Sequence, residues 1–314
     1  MKPIKHIPLA ALVAAAGILS GGCTQDNDTP AHATRVAPRI TAVIESTPTR
    51  ASGTAWDAGD AIGIHVDDTD GKTPFVNVKY VTTQGDGTFT VANGEGGIYY
   101  PGNTTVYFSA YYPYEGENGV LPGRRGVISR TITAADQTPD GQAKIDYLFA
   151  EAIDNEENPD LQLRFRHCMS RLRLEFLPGD NEGPFDDGLT YTIGVLGLEG
   201  TFDTRTESRT TVTGTGSLTM TVDYHASGMT STLIVFPQQA NSVNIEITAG
   251  GRNYTGTLEY PENPDNGNTR ELLPGHSYAY SIKMEKSVLT TTPATIAPWE
   301  KGNGDNGEDV PAWN

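Results

Sequence analysis

The chain has 314 residues, enough for about two domains. Its net charge of -17 repels phosphates and anionic headgroups, which excludes nucleic acid as a partner. With 35 Gly and 20 Pro punctuating a Thr- and Tyr-rich chain, and no long run of helical period, the sequence reads as all-β.

Residues 1–22 have the layout of a secretory leader. Lys2 and Lys5 make a basic start, Ile7 to Leu19 is an apolar run, and small residues lead to Cys23. The run is too short to span a bilayer comfortably. A cysteine directly after small residues looks like a lipoprotein processing site, so Cys23 is the candidate lipid carrier and a membrane the expected anchor. Leu19 stands four residues before Cys23, one more than the usual spacing, and a plain cleaved signal is the competing reading. Cys168 is the other cysteine; with Cys23 lipidated it has no disulfide partner and reads as a packed thiol in a strand.

Residues 23–50 read as a tether followed by a removable first strand. In Arg39 to Arg50, Ile40, Ala42 and Ile44 share one face of a strand, and Pro48 stops pairing because it has no N–H to donate. A core-facing strand followed by an arginine in a polar stretch is one that a protease could release. The slot it leaves would accept a strand from another subunit. An ordinary first strand and loop is the competing reading.

Strands follow from Trp56 onward, and residues 51–157 are expected to form an N-terminal β-sandwich. Ala61–Val66, Phe75–Val81, Thr88–Ala92 and Val106–Tyr112 are separated by Asp- and Gly-rich turns. Val127 to Thr133 is strand-like, and Asp146 to Ala150 closes this block. The polar stretch Asp154 to Asp160 sets a boundary, after which residues 158–285 are expected to form a second sandwich. Leu161, Leu163, Phe165, His167 and Met169 alternate on one face. The phase then switches, and Leu172, Leu174 and Phe176 continue, which predicts a bulge or sharp bend near Ser170. Further strands are expected at 191–198, 217–222, 230–236, 243–248, 254–260 and 278–284.

The tail, 286–314, is strand-capable at first, with Val288, Leu289 and Ile296, and then Trp299. It either folds back or leaves the chain's own fold.

Catalytic chemistry is not legible. The acids of Asp67 to Asp70 lack calcium-loop spacing and read as a hairpin turn, and Asp57 with Asp60 reads as a turn pair. The six histidines show no ligand spacing, and no nucleophile elbow or phosphate loop occurs, so neither enzyme activity nor a cofactor or metal is expected. His167 reads as a hydrogen-bonded structural histidine.

Several stretches together resemble the fimbrillin family of the Bacteroidetes, the subunits of type V pili. They are Trp56-x-x-Gly59-Asp60-x-Ile62-Gly63-Ile64, Phe108 to Tyr114, Asp146 to Ala150, Leu163-x-Phe165-x-His167-x-Met169-Ser170-x-Leu172, Leu273-Pro274-Gly275-x-x-Tyr278 and Ile296-x-x-Trp299. Their order covers nearly the whole chain. The resemblance implies two tandem transthyretin-like β-sandwiches, export as a lipoprotein, and trimming at the cell surface by an arginine-specific protease. Carried over, the cut falls between Arg50 and Ala51, with Arg39 as second choice and Arg35 as third. The C-terminal segment of a neighbouring fimbrial subunit then fills the slot, so Val288, Leu289, Ile296 and Trp299 are the expected donor residues. A tail integrated in its own fold would instead fit a tip or anchor subunit. The alternative is a non-polymerising or tip lipoprotein that binds host glycans or proteins; Tyr99, Tyr100, Tyr111, Tyr112 and Tyr114 could stack on sugars or equally be packed, and alternation packs half of them.

Overall fold

Apolar alternation produces strands almost everywhere that the sequence predicts them. The computed structural model describes residues 35–45, 56–92, 94, 96–180, 185–206, 210–225, 228–292 and 294–299. They belong to one compact unit that begins at Arg35. Cys23, Arg50 and Ala51 lie outside the described residues.

In chain order the first strands are β1 (Arg39–Ile44), β2 (Ala61–Asp68), β3 (Phe75–Val81), β4 (Thr88–Val91), β5 (Val106–Tyr112) and β6 (Val127–Thr131). Two more, β7 (Leu148–Asp154) and β8 (Asp160–His167), complete this part of the chain. The order β1-β4-β3-β2-β5-β7-β8 closes on itself as a barrel, with β8 meeting β1. Its interior holds Ile62, Ile64, Val66, Phe108, Ala110, Leu161, Leu163 and Phe165. The two neighbours that β1 joins are what turn this sheet into a ring.

The second sheet contains β9 (Ser170–Pro178), β10 (Leu189–Asp203), β11 (Thr210–Val222) and β12 (Met229–Val235). After the short β13 (Gln238–Gln239) come β14 (Ser242–Ala249) and β15 (Arg252–Glu259). Next are the short β16 (Glu262–Asn263) and β17 (Thr269–Leu272). The last are β18 (His276–Glu285), β19 (Val288–Thr291) and β20 (Thr295–Pro298). The main path runs β11-β10-β14-β15-β19-β18-β9-β12, with β20 added to β18 and β6 to β10. β13, β16 and β17 form a small separate sheet.

The two sheet systems do not divide at residues 157 and 158. β8 lies after that point and belongs to the barrel. β6 lies before it and pairs with Glu199 to Asp203 of β10. The phase switch near Ser170 is not a bulge within one strand. β8 ends at His167, β9 starts at Ser170, and the chain crosses from barrel to second sheet between them. Cys168 and Met169 are buried in that crossing, and burial pushes the Cys168 thiol well above its usual range.

The outer face of β2, β5 and β7 meets the second core. Tyr111 and Phe149 point away from the barrel interior into the cluster that holds Phe202. Phe202 stacks on Tyr147 with ring centroids 4.5 Å apart. Gly63 permits this approach, since a Cβ there would meet the Tyr111 ring at 2.2 Å. Beside it, His65 is buried between the systems. The Asn77 N–H donates to its Nδ1 at 3.0 Å, and its Nε2 lies 3.2 Å from Thr204 Oγ1. Thr204 Oγ1 donates to Gly126 O, so His65 carries its proton on Nε2.

Candidate functional site: the seat of the first strand

β1 lies between two strands that are far from it in sequence. It pairs in parallel with β8 along its whole length, from Arg39 opposite Asp160 to Ile44 opposite Phe165. On its other side it pairs antiparallel with β4, Ile40 opposite Phe89 and Thr41 opposite Thr88. The expected face is correct: Ile40 and Ala42 are buried in the barrel core, and Ile44 and Val36 pack against it half-buried. Backbone bonds seal both ends. The Arg39 N–H donates to Pro159 O at 2.6 Å and the Glu45 N–H to Phe165 O at 2.7 Å. Upstream, the Tyr100 N–H donates to Val36 O at 2.9 Å.

Trp56 is the side chain that sequence reasoning did not assign to this seat. Its Nε1–H donates to Ala42 O at 2.9 Å, and its ring meets Phe89, Phe165 and Tyr112 edge-on at 5.1–5.4 Å. The first residue after the undescribed stretch 46–55 thus grips the middle of β1. The signal was present in the Trp56-x-x-Gly59-Asp60 motif, where Asp57 and Asp60 form the predicted turn pair. Asp60 Oδ2 accepts from the Asp57 N–H at 2.8 Å, and its Oδ1 accepts from the Tyr112 hydroxyl.

Arg39 pairs with Asp160 at 2.5 Å on the surface, and this ion pair holds the Asp160 carboxyl below its usual range. As a cleavage position it has a physical difficulty. Its backbone is inside the ladder, and a cut after it would leave Ile40 and Ala42 in the core. Arg35 lies 4.2 Å over the ring of Tyr99.

The expected donor segment does not leave the fold. β19 pairs with β18 and touches β15, and β20 pairs with β18 from Ala279–Thr295 to His276–Pro298. Leu289 is buried, whereas Val288 and Ile296 are 59% and 43% exposed. Trp299 is buried against His167, its ring parallel to the imidazole at 4.3 Å, and its backbone N–H donates to Gly275 O. The reason is that β18 offers an open ladder edge and the barrel crossing offers an aromatic face. His167 is structural as expected, with its Nδ1 2.8 Å from Asp146 Oδ1.

The candidate stacking tyrosines divide between buried and half-buried positions. Tyr100 and Tyr111 are buried, and Tyr99, Tyr112 and Tyr114 are half-buried. Their hydroxyls serve the fold: Tyr100 donates to Asp154, Tyr112 to Asp60, and Tyr111 to Asn77. The acids at the β2–β3 turn behave as a turn, Asp68 Oδ1 accepting from the N–H groups of Asp70 and Lys72.

These features define an all-β protein whose N-terminal ring is closed by a strand near the start of the chain. A profile of fimbrillin-like proteins matches residues 49–299, and the chain belongs to that family. The matched stretch begins after β1. A protein of Bacteroides uniformis assigned provisionally as fimbrium subunit Fim1C is 29% identical over 312 residues, 96% of this chain and 97% of the relative. The crystal structure of a candidate cell adhesion protein from Bacteroides ovatus is 31% identical and superposes with a TM-score of 0.71, covering 85% of this chain and 99% of that one. A candidate cell adhesion protein from Bacteroides uniformis shares the fold at 24% identity, with a TM-score of 0.66 over 85% of this chain and 99% of that one.

Proposed function

We propose that this chain is a structural subunit of a surface fimbria that supports adhesion, exported as an outer-membrane lipoprotein through Cys23. An arginine-specific protease cuts between Arg50 and Ala51, β1 leaves, and a strand from another fimbrial subunit takes its place. The observation that carries this reading is the position of β1, which closes a barrel while coming from outside the family-matched stretch. The fimbrial assignment of the Bacteroides uniformis relative supports the same role. Loss of β1 opens two ladder edges and uncovers Phe89, Leu161, Leu163 and Phe165, which a new strand could cover again.

The experiment is arginine-specific proteolysis of the exported protein, followed by N-terminal sequencing and denaturing gels without boiling. The expected result is a new terminus at Ala51 and a ladder of resistant oligomers, both absent in Arg50→Ala. If Arg50→Ala assembles normally with β1 retained, strand release at this position is wrong.

One observation favours a second reading, in which the chain accepts a strand but gives none from Val288 to Trp299, as a tip subunit would. Those residues are already held in the chain's own sheet. Mixing this protein with a cleaved strand-donating subunit would give a single joined pair with no further growth.

A further inference from the structure

Strands β2, β5 and β7 are neighbours in the barrel, and their outward side chains form rows across the three. One row, Gly63, Tyr111 and Phe149, is covered by the second core. The next is His65, Ser109 and Glu151, and the one beyond is Asp67, Tyr107 and Ile153. The second sheet system stops over the middle row, where Arg205 forms a lip. Its Nη2 donates to Asp67 Oδ1 and to Thr73 Oγ1, both at 3.1 Å. Between the lip and the outer row lies a groove of about 570 Å³, lined by Asp67, Tyr107, Ser109, Glu151, Ile153 and Arg205.

Two features of this groove are unexplained by the fold. Tyr107 and Ile153 stand side by side at 45% and 67% exposure, an apolar platform on a barrel exterior. Beneath it, Ser109 is only 7% exposed, and neither its Oγ nor the buried Nε of Arg205 has a hydrogen-bond partner. They make the inner wall of the groove polar beneath its apolar rim. Peptide addition as a strand on β2 or β5 does not fit, because both are paired on both sides along the groove. Nucleotides and acidic sugars do not fit either. Asp67 and Glu151 outnumber the single guanidinium, which already serves Asp67.

We propose that this groove is a binding site for a neutral carbohydrate. The ring of Tyr107, extended by Ile153, takes the apolar C–H face of a pyranose. Glu151, exposed at the groove wall, accepts from its hydroxyls. The size lies in the range of small-molecule sites. None of these residues belongs to β1, β4 or β8, so the site stands apart from strand release.

The test titrates the full-length protein by calorimetry and saturation-transfer NMR. The probes are neutral disaccharides of glucose, galactose, mannose, fucose and N-acetylglucosamine, with sialyllactose as the anionic comparator. At least one neutral probe is expected to saturate the protein. Tyr107→Ala and Glu151→Gln should each weaken it about tenfold or more, with melting temperature unchanged because both side chains are exposed. The proposal is overturned if no neutral probe saturates at about 20 mM, if binding survives Tyr107→Ala and Glu151→Gln, or if sialyllactose binds more tightly.

Discussion

Trp56 fastens β1 with a hydrogen bond and with three aromatic edges. The bond to Ala42 O is buried, and a buried acceptor that loses its donor carries a desolvation penalty. Trp56→Phe keeps most of the ring and removes Nε1–H, so it should destabilise the intact protein by about 1–3 kcal/mol in urea unfolding. In protein from which β1 has been removed, Ala42 is gone and the same substitution should change little beyond the packing loss. Equal effects with and without β1 would show that Trp56 does not hold this strand. The motif that contains Trp56 was readable as a motif. Its partner was not, because Ala42 O lies 14 residues upstream and nothing local announces that meeting.

β1 and β20 are both terminal strands of the described fold, and they differ in what their loss uncovers. Four apolar side chains of β1 (Val36 just ahead of it, Ile40, Ala42 and Ile44) cover the barrel interior. At about 1.5–3 kcal/mol for a fully buried aliphatic side chain, about half that for Val36 and Ile44, and about 0.8 for the Ala42 methyl, their removal amounts to roughly 4–7 kcal/mol, a large part of a domain's whole stability. A barrel that has lost β1 is therefore driven to find another strand. β20 lies on the sheet with Ile296 half in solvent, and its main anchor is the residue after it, Trp299 on His167. Trp299→Ala should release that end while leaving the barrel intact. Hydrogen exchange at Ser277 and Ala279 is expected to rise, with a stability loss of about 3–5 kcal/mol if the crossing depends on it. Unchanged exchange there would mean that ladder bonds alone hold the strand.

The two sheet systems act as one body through a polar pair of contacts as well as an aromatic one. Arg205 reaches Asp67 across the junction, and His65 sits buried beside it. Burial lowers the His65 pKa from 6.5 to about 4, with the nearby Arg205 charge adding in the same direction. The folded state thus holds His65 neutral, while the unfolded chain takes up a proton below pH 6.5. The contribution is complete above pH 6.5, falls as pH drops toward 4, and is flat below that; its size is of the order of 3 kcal/mol. Urea midpoints between pH 7 and 4 should therefore decline, and His65→Gln should flatten the part of the slope that His65 supplies. A wild-type slope identical to that of the variant would remove His65 from the account.

What the residues settled by themselves is local. Alternation put Ile40 and Ala42 on the inner face of a strand, and Asp and Gly marked the turns at 57–60 and 67–71. The ordered motifs pointed to the family. Partner choice was not local. That β1 closes a ring by parallel pairing with β8, that β6 crosses to β10, and that Trp299 docks at His167 all join residues far apart in the chain. A period of two states which face is apolar, not which edge it will meet. The same limit hid the groove under Arg205, because its walls come from three barrel strands and one distant loop, and only packing decides that they face one another.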